Sequence, residues 1–409
     1  MPRPLSPGQG SSAELPLELT WTECVDVDYY QIQLDTTSEF GQPVVDTVAN
    51  LAHLTLSLDL PSGRYYWRLA QVTVAGAHSE FSTAVSFRIE GWSYPRSVVA
   101  TIPLGAHPGA LAVRPDGREV WVGSTSQDDR HLYVVCTDSL VVSHQVTSEG
   151  YAHGEVVFDP AGTHAFTCMM LDPGNREGGE IEGFSTSEYV MDGRYYYTCG
   201  GGCHSWPWGY GLCSDPRGEY LYAIDGEYGE PISLGVTNNG MHHADPIGAV
   251  DVSVSPNLAR AYACGPTGSF VEYDVNDMDS TRGILIDASL GPLVITGDGR
   301  YAFISQEQPP GFSVVDLTTF EVVAYREMPT GFAWARPFAL ALSPDERFLF
   351  LCDRESAYVH VADVTNPTHP AILEHLQIGG NAVHGVAFAP DGSRAYLSVE
   401  PTGLVMLER

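Results

Sequence analysis

Two cysteines stand close together in the stretch "CGGGCHSWPWGYG", residues 199–211. Cys199 and Cys203 are candidates for a disulfide that closes a loop of three glycines in an oxidising compartment. They can equally stay as thiols, or one of them can pair with Cys213. The sequence leaves these alternatives open.

A histidine directly after the second cysteine widens the chemistry of this stretch. His204, together with His242 or His243 of "NNGMHHADP", could join the two cysteines as ligands of a metal ion. The spacing is not the Cys-x2-Cys of strong zinc motifs. Cys-x3-Cys-His is also an extended relative of the covalent haem attachment motif, in which His204 would be the axial ligand.

A second set of side chains lies where seven similar stretches of chain begin, in the segments that enter their first strands. The set comprises His107, His153, Glu155, Trp208, Tyr210, Asp251, Arg336, Phe338 and His384. Imidazoles and carboxylates together ligate transition metals, and carboxylates alone suit calcium, so the three histidines are candidate metal ligands. The alternative is that each histidine donates a hydrogen bond to a backbone carbonyl. No Gly-x-Ser-x-Gly elbow and no Gly-x4-Gly-Lys phosphate loop occurs, and we assign no catalytic residue.

The seven similar stretches are copies of one phrase, of which "GALAVRPDGREVWVGS" is an example. They occupy residues 109–124, 154–169, 210–225, 250–265, 291–306, 338–353 and 384–399. Each copy is a strand, a tight turn and a second strand, and a third strand usually follows. Such units predict the blades of a β-propeller. Innermost strands surround the axis of a propeller, so we expect the second set of side chains to form a ligand-binding site at one mouth of the channel.

The propeller is predicted to span residues 95–409. Its last copy ends near the end of the chain and leaves the seventh blade one strand short. The segment "SVVATIPLG", residues 97–105, can supply that strand and close the ring. Cys168, Cys264 and Cys352 fall in blades that are not adjacent, too far apart for a disulfide, and are predicted to be buried thiols.

Short alternating segments separated by turn signals fill residues 17–91 and predict a β-sandwich. Residues 1–16, rich in Pro, Gly and Ser, are predicted to be a flexible leader. This segment lacks the apolar core of a signal peptide. If the protein is exported, we expect its signal peptide to have been removed from this chain.

Both predicted domains resemble bacterial families. The front domain resembles fibronectin type III domains in Trp21, in "YYQIQLDTTSEF" and in "LPSGRYYWRL". The repeat resembles the YVTN family of seven-bladed propellers, which includes surface-layer and YncE-like proteins, in "HPGALAVRPDG" and "HGVAFAPDGSRAYLSV". No copy carries the literal Tyr-Val-Thr-Asn string. These resemblances imply an all-β chain of the cell surface or the extracellular space.

The charge balance restricts the partners. The chain has 51 acidic and 20 basic residues, no lysine, and a net charge of -31. This charge opposes binding of nucleic acids and of anionic membrane surfaces. The sequence contains no run of 18 apolar residues, so we expect no membrane insertion. Proteins, carbohydrates or cations at the cell surface are the admissible partners, and self-association stays open.

The sequence favours a non-enzymatic binding or structural platform. The alternative is a metal-dependent enzyme, a lyase, hydrolase or oxidoreductase, with its site at the channel mouth. A third hypothesis is a c-type haem protein that transfers electrons through Cys199, Cys203 and His204.

Overall fold

The chain forms two compact units, Met1–Pro95 with Arg409, and Arg96–Glu408. The computed structural model describes residues 2–58, 60–61, 63–105, 107–126, 128–150, 153–170, 179–197, 211–225, 229–237, 240–332 and 337–409. Within these ranges the regular structure is β-strand, apart from one 3-10 turn at Thr330–Phe332. None of the described residues belongs to a helix long and apolar enough to cross a membrane.

The first unit consists of two sheets. Its strands are β1 (Pro4–Ser6), β2 (Ser12–Leu15), β3 (Leu17–Trp21), β4 (Val27–Asp35), β5 (Val45–Ala49), β6 (His53–Leu56), β7 (Gly63–Thr73) and β8 (Val85–Trp92). One sheet has the order β1-β3-β6 and the other has the order β2-β8-β7-β4-β5. The buried Trp21 of the first sheet packs edge-on against Tyr30 and Trp67 of the second, with ring centroids 5.3 and 6.3 Å apart, so aromatic side chains form the core between the sheets.

The first residues of the chain are part of this unit, which corrects the prediction of a flexible leader over residues 1–16. β1 pairs with β3, and β2 runs parallel to β8. The buried indole of Trp67 donates a hydrogen bond of 3.0 Å to the carbonyl of Pro7, and Leu15 is fully buried. Burial of these apolar groups and completion of the sheet edges outweigh the turn-forming composition of the segment.

The second unit contains seven four-stranded antiparallel sheets among its described residues. Sheets 1 to 3 consist of β10 (Pro108–Val113), β11 (Glu119–Ser124), β12 (His131–Cys136), β13 (Val141–Thr147); β14 (Val156–Phe158), β15 (His164–Met170), β16 (Gly179–Ser185), β17 (Val190–Tyr197); and β18 (Leu212–Ser214), β19 (Tyr220–Asp225), β20 (Glu230–Gly235), β21 (Met241–His243). Sheets 4 and 5 consist of β22 (Asp251–Val254), β23 (Arg260–Cys264), β24 (Ser269–Asp274), β25 (Ser280–Leu285); and β26 (Ser289–Ile295), β27 (Tyr301–Gln308), β28 (Pro310–Asp316), β29 (Glu321–Glu327). Sheet 6 consists of β30 (Pro337–Leu342), β31 (Phe348–Asp353), β32 (Tyr358–Asp363) and β33 (Ala371–Gln377).

Sheet 7 joins the two ends of the unit. Its order is β34 (Ala382–Phe388), β35 (Arg394–Glu400), β36 (Gly403–Glu408) and then β9 (Ser97–Ile102). The sequence predicts a closing strand over residues 97–105, and β9 occupies that outer position. The first strands of the seven sheets contact one another in a closed cycle, in which sheet 7 returns to sheet 1.

A left-handed residue shapes the turn between the first two strands of each sheet. In the Pro-Asp-Gly turn of sheet 1, Gly117 has a φ of 74° and its N–H bonds to the carbonyl of Arg114 at 2.8 Å. Glycine adopts this conformation without steric cost. Leu258 in sheet 4 and Glu346 in sheet 6 adopt it with φ near 57°, so the fold holds the turn even where glycine is absent.

The apolar core lies between neighbouring sheets. Among the described residues, six clusters of buried side chains each combine two adjacent sheets, and one of them joins sheet 7 to sheet 1. This last cluster includes Ile102 of β9, Leu111 of β10 and Leu404 of β36. Ring closure therefore combines strand pairing with side-chain packing.

Replacement of Leu404 by alanine should destabilise the ring strongly. Leu404 is fully buried and lies opposite Ile102 in the closing strand pair. The cavity left by Leu404→Ala should cost about 2–5 kcal/mol in the free energy of unfolding, measured by urea titration. The control Val99→Ala lies on the same strand pair but is 48% exposed, and should cost well under about 1 kcal/mol. Equal losses in the two variants would contradict the assigned role of the closing pair.

Candidate functional site

A cavity of about 320 Å³ lies among the first strands of all seven sheets. Every first strand has an aliphatic residue where its packed part begins, and the residue directly before it occupies one register position of the repeat. In all seven sheets the residue at this position lines the cavity. From sheet 1 to sheet 7 these residues are Ala110, Glu155, Gly211, Asp251, Pro292, Ala339 and Gly385. Five of the seven are small or cyclic, which leaves room for the cavity, and two are acids.

Glu155 and Asp251 are brought together across Gly211, which occupies the same register position in the intervening sheet 3. A Cβ atom at Gly211 would lie 2.2 Å from Oδ1 of Asp251 and 2.5 Å from its Cα. No side chain fits there. The glycine of sheet 3 thus allows the carboxylate of sheet 4 to occupy this space, close enough to Glu155 for their charges to interact.

Backbone hydrogen bonds hold Asp251 in place. Its Oδ1 accepts the N–H of Val252 at 2.8 Å and its Oδ2 accepts the N–H of Leu293 in sheet 5 at 2.7 Å. Burial raises the pKa of Asp251 to about 7, although both hydrogen bonds act in the opposite direction. The carboxyl group is therefore close to its titration point at neutral pH.

Glu155 faces the cavity and no described residue donates a hydrogen bond to its carboxylate. Part of its surface borders the cavity, but protein atoms surround the side chain, and this burial raises the pKa of Glu155 well above its usual value. The neighbouring charge of Asp251 raises this pKa further. Two like charges in one poorly hydrated space are unfavourable, so the pair favours protonated forms.

Thiols surround the two carboxyl groups. Cys213 lines the cavity, and Cys168 and Cys264 are buried close enough to Asp251 for its charge to act on them. Burial is the largest cause of the raised pKa of all three thiols, and the charge of Asp251 adds to it. The Sγ of Cys264 donates to the carbonyl of Gly291 at 3.0 Å. At neutral pH these groups are thiols rather than nucleophilic thiolates.

His153 lines the same cavity and is only 3% exposed. Its backbone N–H donates to the carbonyl of Ser124 at 2.8 Å, and its Nδ1 accepts the N–H of Ser124 at 3.2 Å. Burial lowers the pKa of His153 to about 4. The neutral ring therefore carries its proton on Nε2, and this buried donor has no partner among the described residues.

His107 and His384 are directed at a third residue rather than at a common ion. Nδ1 of His107 lies 3.3 Å from Oε1 of Glu400, and Nε2 of His384 lies 3.0 Å from Oε2 of the same carboxylate. His384 lines the cavity, whereas His107 is half-exposed outside the lining. Glu400 was missed by the sequence analysis because it is the last residue of a second strand, away from the segments that precede first strands.

Several predicted site residues lie outside the described part of the chain. These are Cys199, Cys203, His204, Trp208, Tyr210 and Arg336. Their disulfide, metal, haem and ligand-binding assignments stay predictions. His242 and His243 lie exposed on β21, the outermost strand of sheet 3, which places them away from the first strands that line the cavity.

Within the described residues, no group of three or more His, Cys, Asp or Glu side chains has the geometry to hold a metal ion. Phe338 lines the cavity, and so do Thr125 and Ser253, which the sequence analysis did not select. The repeat itself contains a signal for Ser253 and Cys213: they share one register position, where the other first strands carry valine or alanine.

Solved structures with the same fold place this protein in a structural class. The chain superimposes on the hydrazine synthase of Kuenenia stuttgartiensis with a TM-score of 0.61 at 13% identity, covering 76% of this chain and 98% of that chain. It superimposes on the Cps50 (Swd1) β-propeller domain of Myceliophteria thermophila with a TM-score of 0.63 at 10% identity, covering 76% and 99%. No family model and no curated protein matches the sequence. The shared fold and the seven sheets around a cavity define a β-propeller protein.

Replacement of Glu155 by glutamine should flatten the dependence of stability on pH. The folded-state pKa of Glu155 lies above the value of about 4.3 in the unfolded chain, so the folded protein binds more protons between these two values. The free energy of unfolding of the wild type therefore falls as the pH rises through this window. Glu155→Gln removes this loss and lowers the cost of ionising Asp251. The difference in free energy of unfolding between the variant and the wild type should therefore shift in favour of the variant by on the order of 1 kcal/mol or more between about pH 5 and pH 8.

Urea titrations at both pH values measure the effect. The matched control is Glu188→Gln, which removes the same charge from an exposed position in the turn between β16 and β17 of the same sheet. A Glu155→Gln variant whose stability changes with pH as steeply as that of the control would show that Glu155 ionises freely in the folded protein.

Proposed function

We propose that this protein is a non-enzymatic binding platform of the cell surface or the extracellular space, and that its propeller holds a small ligand in the central cavity. The observation that carries the proposal is the cavity itself, which first strands from all seven sheets line. A lining of small residues around a few fixed polar groups is typical of a binding pocket. The residues assigned to this site are His153, Glu155, Asp251 and His384, with Trp208, Tyr210 and Arg336 expected beside them.

The chemical state of the lining groups supports binding over catalysis. Cys213 is a protonated thiol, His153 is a neutral imidazole, and His384 is held by Glu400. Groups in these states offer hydrogen bonds and shape to a ligand. A nucleophile would need a lowered pKa or an adjacent base.

The assignment to the YVTN and YncE-like propellers and to fibronectin type III domains belongs to this proposal. The phrase repeated in seven sheets supports the first, and the two sheets packed through Trp21 and Trp67 support the second. Such a pairing suits a protein that presents a propeller outside the cell. The net charge of -31 agrees with partners that are proteins, carbohydrates or cations rather than nucleic acids.

One observation favours the alternative of an enzyme. A buried carboxyl group with a pKa of about 7, as for Asp251, suits proton transfer near neutral pH. A metal-dependent lyase, hydrolase or oxidoreductase would in addition need an ion at the channel mouth. A c-type haem on Cys199, Cys203 and His204 is the third hypothesis and makes no use of the cavity.

Elemental analysis of the purified protein should find no transition metal in stoichiometric amount. His107 and His384 are directed at Glu400, and His153 is directed at Ser124, so the three imidazoles have other partners than an ion. The dialysis buffer provides the blank. A transition metal that is present in stoichiometric amount in the wild type and lost in His384→Ala would contradict the binding-platform hypothesis and support the metal-dependent enzyme.

Ligands found in a thermal-shift screen of small molecules should lose their effect when the cavity is filled. Ala339 lines the cavity, and Ala339→Leu adds bulk to its wall. A ligand at about 100 times its Kd should stabilise the wild type by about 2.7 kcal/mol and should not stabilise this variant. The control Ala259→Leu adds the same bulk at an exposed turn of sheet 4. Ligands that stabilise both variants equally would place the binding site elsewhere.

A further inference from the structure

We propose that the central cavity binds a compact organic ammonium ion, held by the carboxylates of Glu155 and Asp251. This inference rests on the proposed function, because it assigns a chemical class to the ligand of the same cavity. It is independent of whether the ligand is free in solution or part of a larger molecule.

The charged side chains in the described part of the cavity wall favour a cation; Arg336, which is expected beside them, lies outside the described residues. The described lining contains two carboxyl groups and no lysine or arginine. No described residue donates a hydrogen bond to Glu155, so its carboxylate is available to a ligand. A buried carboxylate without a donor is costly, and an ammonium group supplies both the compensating charge and three N–H donors.

An unpartnered donor in the same wall adds a second requirement. The neutral His153 carries its proton on Nε2, which is buried and has no acceptor among the described residues. A buried donor without a partner costs free energy that an acceptor on the ligand would restore. A ligand that satisfies both the carboxylates and His153 carries an ammonium group at one end and a hydroxyl, ether or carbonyl oxygen at the other.

The remaining lining suits a short carbon chain between these two polar ends. Leucine and valine residues of the first strands, together with Phe338, line the same cavity as the acids. The cavity of about 320 Å³ has room for a small molecule and for little more. Apolar walls gain from burial of methylene groups, which a hydrated metal ion lacks.

The hydrogen bonds of Asp251 also favour an ammonium ion over a metal ion. Each of its carboxylate oxygens already accepts a backbone N–H, from Val252 and from Leu293. The remaining lone pairs can accept N–H donors from a ligand without displacing these bonds. A metal ion needs several converging donors, and no such group of side chains occurs among the described residues.

Binding of a cation should release protons. In the empty cavity burial raises the pKa of both carboxyl groups, and the charge of Asp251 raises that of Glu155 further, so the pair holds at least part of its protons at neutral pH. A bound ammonium group stabilises the ionised forms and thus lowers these pKa values. A neutral ligand of the same shape has no such effect.

Calorimetric titration with 5-aminopentan-1-ol tests the inference, and 1,5-pentanediol is its neutral match. The amino alcohol should bind the wild type, and the diol should bind at least about tenfold more weakly. Glu155→Gln should weaken the amino alcohol by at least about tenfold, and Asp251→Asn provides a second variant should the first fail to fold. Glu188→Gln should leave its affinity unchanged. An indicator dye in weakly buffered solution should show proton release with the amino alcohol and none with the diol.

Three results would overturn the inference. The first is equal affinity for the amino alcohol and the diol. The second is loss of amino alcohol binding in about 0.5 M NaCl without an effect of Glu155→Gln, which would place the cation on the acidic outer surface, where salt screens it. The third is Glu155-dependent binding of Ca²⁺ or Mn²⁺ in the absence of amino alcohol binding, which would assign the carboxylates to a metal ion.

The test separates failure of this inference from failure of the proposed function. One outcome is that neutral or anionic ligands bind the wild type and not Ala339→Leu. This result would support the cavity as a binding site and refute its selectivity for cations. If neither the amino alcohol nor any such ligand binds, the proposed function and the inference both fail.

Discussion

Pairing between β9 and β36, the strands at opposite ends of the second unit, is the interaction on which its remaining structure depends. Each sheet buries its faces against two neighbours, so an open ring would expose the apolar faces of sheets 1 and 7 and the unpaired edge of β36. The cluster around Leu111 and Leu404 spans this join. The cavity also requires closure, because its wall takes one residue from the same register position of every sheet.

The chemistry of the site follows from variation at that single position. Seven residues meet there, one from each sheet, and space remains between them because most of them are small. Ala110, Ala339 and Gly385 provide this space, and Gly211 provides it directly beside Asp251. The repeat thus separates two tasks: its aliphatic positions, such as Leu212 beside Gly211, pack the sheets together, and the preceding position determines what the cavity can bind.

Periodic features could be predicted from the sequence, and features without a period could not. The copies of the phrase predict the paired strands and their turns, because each copy repeats the same local pattern. The copies also assign Glu155 and Asp251 to the same register position, and both residues line the cavity. The strand β2 was not predicted, since it has four residues and pairs in parallel with β8, a strand that is distant in sequence. The orientation of His384 toward Glu400 depends on a rotamer and on a residue from the next strand, which no spacing pattern encodes.

Glu155 and Asp251 depart from the repeat at a cost in stability. Aliphatic or small residues at positions 155 and 251 would pack this wall without any cost of burying charge, as they do in the other five sheets. Asp251 is nevertheless fixed by two backbone donors, and sheet 3 contributes a glycine that makes room for it. Departures of this kind from an otherwise consistent pattern are expected at functional sites. A cavity in which burial disfavours ionised acids when it is empty, and in which a bound cation favours them, would convert that cost into selectivity for the charged ligand.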